Sequence, residues 1–397
     1  MTPTLIRRVP YDLGRRPFIV IWEVTAACDL ACRHCRAEAV RERHPRELTT
    51  EEGVALLRQL TTFGPPGPLL VLSGGDPFKR RDLVELVRHG GHIGLPVAVA
   101  PSGTPLLTRR NLERLRAAGA VALSLSLDGS TASVHDNFRG VHGSYRCTLS
   151  AARAARELGF RLQLNTTVTA ENLLDLPDLL ALVRTLDPMT WSLFFLVPTG
   201  RARALPGLSP TDVEDVLNFL YDAGGLVPIK TTEAPEYRRV VIQRAILERR
   251  GVAPERVLAL GETYQRLRAR MREVLGEGSS TRVRVRRPPL EVSAGRGFAF
   301  VSRLGDVTPS GLLPLAAGNV RDRPLVDIYR GSALFRMLRD PDRLKGRCRR
   351  CEFRRVCGGS RARAYAVTGD VLGEDPACAY APGSFPFQRE LRAFTTP

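Results

Sequence analysis

Lysine is nearly missing from this chain of 397 residues, standing only at Lys79, Lys230 and Lys345, although lysine and arginine together outnumber the acids 59 to 41. The formal charge of +18 is therefore almost wholly arginine. Those arginines are scattered and form no block, as a GC-rich coding bias would leave them, and nucleic acid is not expected as a partner. An arginine-rich surface suits an acidic protein or a carboxylate-bearing small molecule better. Also missing is any run near the ~18 uninterrupted apolar residues of a membrane span. Residues 1–16 hold no apolar stretch of a signal peptide. No membrane contact is expected, and the reading is a cytoplasmic protein. No Gly-x-Gly-x-x-Gly follows the first apolar run, which argues against a dinucleotide-binding fold.

Cysteine is scarce through the middle of the chain and crowded at two places. Of eight cysteines, three form Cys28-x3-Cys32-x2-Cys35, and four form Cys348-x2-Cys351-x5-Cys357-x20-Cys378. The eighth, Cys147, stands in an Ala-rich helical pattern and reads as a small buried residue. In a cytosolic chain such usage points to metal or redox chemistry and away from disulfides. Three thiolates on one short loop hold three irons of a cubane and leave a fourth iron open to a small molecule. Four thiolates close a cubane completely. Zinc satisfies the same ligand count in the second group and stays open there; for the triplet it lacks the usual second pair.

From residue 17 to 197, short apolar runs at 18–24, 69–72, 97–100, 122–127, 161–167 and 191–196 alternate with helical patterns. The helices are expected at 51–63, 81–90, 109–118, 144–158 and 173–186. Continuous apolar strands alternating with helices read as parallel strands covered on both faces. Residues 201–290 read as a helical connector, with helices near 211–222, 235–250 and 260–275 and one edge strand within 276–289. Two short strands about the turn at Leu304-Gly-Asp306 and a helix over 324–338 follow. The tail at 383–397 carries no signal.

The stretch Cys28-Asp-Leu-Ala-Cys32-Arg-His-Cys35 resembles the signature of the radical S-adenosylmethionine (SAM) enzymes. The resemblance implies an α/β fold, a partial (β/α)6 TIM-like barrel over 17–200, with chemistry at the C-terminal strand ends. It implies a 4Fe–4S cluster on Cys28, Cys32 and Cys35 that binds SAM at its open iron. Ser73-Gly74-Gly75-Asp76-Pro77 is similar to the family's Gly-Gly-Glu-Pro, which binds the SAM amino group; bare glycines there let the backbone approach a ligand. Ser102 and Thr104 are expected at the amino-acid end. Ser126 and Asp128 share one side at period two and are expected at the ribose or carboxylate. Arg139 lies in His135-Asp-Asn-Phe-Arg139-Gly140, a stretch like one that follows the fourth strand in the family. Asn165 is expected at the ribose, the backbone of Val197 to Arg201 beside the adenine, and His34 packed near it.

Gly305-Asp-Val-Thr-Pro309, Ala317-Gly-Asn-Val320 and the second cysteine group together resemble the SPASM or twitch extension, over 291–382. A second, auxiliary 4Fe–4S cluster on Cys348, Cys351, Cys357 and Cys378 is implied. Ser310 and Ser360 stand where full SPASM domains have further cysteines, so one auxiliary cluster is expected. A low-potential flavodoxin or ferredoxin is the implied electron donor. Trp22-Glu-Val-Thr25, Pro101-Ser-Gly103 and Arg361-Ala-Arg-Ala364 are similar to the tetrapyrrole-modifying members, the coproheme decarboxylases and heme d1 synthesis enzymes. Multiple arginines suit a porphyrin's propionates. The alternative is maturation of a short ribosomal peptide, against which stands the brevity of the segment before the first strand.

Overall fold

The computed structural model describes residues 5–276 and 286–395. The six expected apolar runs become β1 (Ile19–Glu23), β2 (Leu69–Ser73), β3 (Val97–Val99), β4 (Ala122–Ser126), β5 (Arg161–Val168) and β6 (Thr190–Phe195). They pair in parallel and in chain order. The sheet does not stop there. β7 (Ile229–Thr232) joins β6 in parallel, and β8 (Phe298–Val301) joins β1 in parallel on the other side. β9 (Asp306–Thr308) and β10 (Gly318–Asn319) continue antiparallel beyond β8, making ten strands in one sheet. The region expected as a purely helical connector thus contributes a strand, and the C-terminal module is built onto the barrel's own sheet. The edge strand expected within 276–289 falls largely outside the described residues.

Alternation along each strand sorts the two faces. On β5, Leu162, Leu164 and Thr166 are buried under the helices, while Gln163, Asn165 and Thr167 are half-buried on the inner face. The helix layer is closed by local chemistry. Helix α1 (Thr50–Thr61) starts with a capping box between Thr49 and Glu52 and buries Leu56, Leu57 and Leu60. Two orphan donors at its N-terminus are satisfied this way. A Cβ at Gly53 would lie 2.6 Å from the Trp22 ring, so the helix reaches the strand only because no side chain stands there. Beyond the barrel, the helix expected over 324–338 is broken at Ser332 into Leu325–Gly331 and Ala333–Arg339. The tail is also ordered: its helix Gln388–Thr395 packs Leu391, with Phe385, against Ile242, Ile246 and Phe353. No helix among the described residues is long and apolar enough to cross a membrane.

Candidate active site

The loop leaving β1 is fixed by one buried carboxylate that the sequence reading missed. Glu47 Oε1 accepts from Thr25 Oγ1 at 2.9 Å and from the Ala26 amide at 3.1 Å, while Arg43 holds its other oxygen. Cys28 N donates to Val40 O at 2.7 Å, closing the loop. The buried guanidinium of Arg80 donates to Val24 O at 3.2 Å and Leu48 O at 2.9 Å. Glu23 points inward and pairs with Arg36 at 2.6 Å and Arg303 at 2.9 Å.

Cys28 and Cys32, only 6% and 8% exposed, pack together with Leu30, and Cys35 joins them half-buried. Each of the three sulfurs accepts an N–H: from Leu30 at 3.4 Å, from Arg139 Nη1 at 3.6 Å and from Ala39 at 3.4 Å, respectively. Such donors tune the potential of a cluster held by these sulfurs. Three free thiols on one loop, each offered a donor, fit a three-thiolate cluster.

The glycine turn after β2 lies directly against this loop. The amides of Gly75 and Asp76 donate to Thr25 O at 2.8 Å and Ala27 O at 2.7 Å. A Cβ at Gly75 would sit 2.4 Å from Ala27 O and 2.6 Å from Ala26 O, both backbone atoms that cannot swing aside. Gly75→Ala must therefore displace the cysteine loop. For the SAM cleavage that the sequence resemblance implies, the expected result is a loss of ~10²-fold, the scale of an ångström misplacement, measured as 5′-deoxyadenosine released under reductant; an unchanged rate would refute the close-contact argument. Ser102 Oγ donates to Gly75 O at 2.6 Å and lies 3.6 Å from Cys28 Sγ, joining turn and triplet.

Several expected ligand contacts are engaged inside the protein. Asp76 is buried, and its two oxygens accept from Phe78 N at 3.1 Å and Thr104 Oγ1 at 2.7 Å. Burial raises its pKa. Asp128 is fully buried, accepting from Arg139 Nε at 2.7 Å and Thr167 N at 2.7 Å. Burial alone would raise its pKa, but the Arg139 guanidinium together with His34, His135 and the Thr167 amide holds it below the usual carboxylate range. Asp128 therefore bears on the site through Arg139 and Cys32. His34 stacks on Phe138, centroids 4.4 Å apart and planes within 9°, so one ring face is already covered. Burial takes its pKa down to about 3, so the ring is neutral.

Ser126 is half-buried at the end of β4, opposite Asn165 in register. Asn165 Nδ2 donates to Ser124 Oγ at 2.8 Å. The loop after β6 reaches the triplet as expected: Arg201 N donates to Cys35 O at 3.1 Å, and Gly200, at φ +54°, leaves a Cβ no room against that carbonyl.

The C-terminal cysteines come together although up to thirty residues separate them in sequence. Cys348, Cys351, Cys357 and Cys378 line one pocket, partly open to solvent, with Glu236 and Arg239. None is in a disulfide. Burial pushes the thiols of Cys351 and Cys378 up to about 11 and about 12, a cost that cluster or metal ligation relieves by deprotonating them. Among the described residues, no three His, Cys, Asp or Glu side chains converge closely enough for a single metal ion. Arg361 and Arg363 are structural here: Arg361 donates to Val371 O and Gly373 O, and Arg363 to Asp375 and Glu233 O.

Ser310 and Ser360 meet on one carboxylate. Their hydroxyls donate to Glu233 Oε1 at 2.8 Å and Oε2 at 2.5 Å. Glu233 holds φ +55° to do so. Cys147 is half-buried on the helix Ser144–Glu157, away from both groups in sequence.

Comparison with known proteins agrees with this geometry. Residues 22–183 match the Radical SAM superfamily. The chain is 40% identical to the AdoMet-dependent heme synthase of Methanosarcina barkeri over 92% of its own length and 97% of that protein. It is 38% identical to the AdoMet-dependent heme synthase of Oleidesulfovibrio alaskensis over 93% and 88%. Among solved structures, Streptococcus suis SuiB bound to S-adenosylmethionine aligns with a TM-score of 0.64, 16% identity, and coverage of 92% and 78%; that likeness is one of fold.

Proposed function

Because the chain belongs to the radical SAM superfamily, and is therefore an enzyme that works with a 4Fe–4S cluster and SAM, we propose that it oxidatively decarboxylates propionate side chains of an iron coproporphyrin. The observation that carries this reading is the near full-length alignment with an AdoMet-dependent heme synthase. When bound, the cluster and SAM supply a 5′-deoxyadenosyl radical able to remove hydrogen from a carbon centre. Cys28, Cys32 and Cys35 are the ligands proposed for that cluster. The backbone of Gly74 and Gly75, with Ser102, would hold the amino-acid end of SAM, and Ser126 and Asn165 the ribose. Arg139 would orient and polarise Cys32, with Asp128 as its anchor. The inner wall of the sheet would keep water from the reacting carbon.

A second 4Fe–4S cluster on Cys348, Cys351, Cys357 and Cys378 belongs to the same proposal. Four thiols lining one pocket supply the ligand count of a closed cubane. It would receive the electron released when a propionate loses carbon dioxide. A low-potential flavodoxin or ferredoxin is the proposed donor of the initiating electron. The test is anaerobic incubation of reconstituted protein with SAM, reductant and iron coproporphyrin III. Stepwise loss of carbon dioxide from the porphyrin, with matching 5′-deoxyadenosine, is expected. An unaltered porphyrin, or modification of a short precursor peptide in its place, would overturn the reading.

A further inference from the structure

We propose that Arg7, Lys230 and Arg287 form a binding site for a carboxylate of the substrate, on the inner face of the sheet at its β6–β7 edge. The proposal rests on the tetrapyrrole reading for the identity of the substrate, and on the following geometry for the site itself.

Register puts Ser126, Asn165, Ser192 and Lys230 in one row across four adjacent strands. The row begins at the proposed ribose contacts and ends at the lysine. Three strand spacings make roughly 14 Å along the sheet, a span that a macrocycle reacting at one side chain and held by another would bridge. Lys230 keeps an open surface on this inner face, whereas its neighbour Ile229 is buried under the helices. Arg287 Nη1 reaches Thr190 Oγ1 at 2.9 Å, one inward-facing position below Ser192. Arg7 is brought alongside by pairing of the two segments, Arg7 N to Pro289 O at 2.9 Å and Glu291 N to Arg7 O at 3.2 Å.

These cations are unmatched. Among the described residues, Lys230 is acted on by Arg287 and Arg7, Arg7 by Arg287, and no carboxylate figures at either. The Arg287 and Arg7 guanidiniums act against the charged Lys230 ammonium and lower its pKa. Beside it in the row, the fully buried Ser192 hydroxyl has no hydrogen-bond partner. Like charges held together with an unsatisfied donor nearby are unfavourable until an anion arrives. A carboxylate would meet a guanidinium fork and an ammonium. By contrast Arg36, Arg139, Arg303 and Arg363 each have an acid, and the buried Arg238 and Arg361 are spent on backbone carbonyls.

The experiment compares the holoenzyme with Lys230→Gln, Arg287→Gln and Lys230→Arg. Binding of iron coproporphyrin III is followed by its Soret band, and protection by glutarate by thermal shift. The glutamine variants are expected to bind the porphyrin at least ~30-fold more weakly, the scale for truncating one side of a charge pair, and to lose glutarate protection. Lys230→Arg should retain both, which a merely structural role would not explain. Porphyrin binding as tight in Lys230→Gln as in the parent would overturn the proposal. If the parent binds no porphyrin, the tetrapyrrole reading fails and glutarate decides alone: protection lost in the glutamine variants keeps the carboxylate site, and equal protection overturns it.

Discussion

Replacing Cys32 by alanine is expected to end 5′-deoxyadenosine release altogether while leaving in place the iron proposed for the C-terminal cysteines. Cys32 takes a hydrogen bond from Arg139, itself tied to Asp128. Two remaining thiolates cannot hold three irons. By ligand count the reconstituted parent should carry about eight irons and the variant about four. Cys348→Ala should show the complementary loss, about four irons retained on the triplet with SAM cleavage still measurable. Persistence of 5′-deoxyadenosine in the Cys32 variant would refute the assignment of the triplet. A parent holding near four irons, or zinc, would sink the second cluster while sparing the first.

The triplet and the glycine turn were legible because their chemistry is local. Three cysteines within eight residues and two glycines after a strand need no knowledge of the fold to be read together. What the structure adds has no local signature. Glu47 lies 22 residues from the Thr25 it holds, and Glu233 lies 77 from Ser310 and 127 from Ser360. No spacing rule joins those positions before the chain is folded. The two serines were read as substitutions for cysteine; the structure shows that they close on one carboxylate, bracing a turn between barrel and extension. β7 escaped notice because Ile229-Lys-Thr-Thr232 is short and carries a lysine where a buried parallel strand would be apolar. That lysine lies on the inner face of the sheet with its surface open, so the residue that hid the strand also marks the unmatched cations there. The tail helix was missed for a similar reason, since eight residues hold too few periods of an amphipathic pattern to register.

Asp128→Ala is expected to produce the largest loss of folding stability of any single change near the site. Asp128 and Arg139 are both buried, and the aspartate also accepts the Thr167 amide. Removing one partner of such a pair leaves an uncompensated charge and costs about 3–5 kcal/mol. The pH dependence follows from the depressed pKa of Asp128. Its contribution is complete above the unfolded value of about 3.9 and is lost as pH falls through the lower folded value. The loss should therefore appear in full at pH 7 in denaturant titrations of cluster-free protein. Removing both charges, in Asp128→Ala with Arg139→Met, should cost less than the sum of the two single changes, because no lone charge remains. Additive losses would show that the pair is not coupled. The same double variant separates stability from chemistry: it should fold better than Asp128→Ala, yet cleave SAM no faster, since Cys32 has then lost its donor.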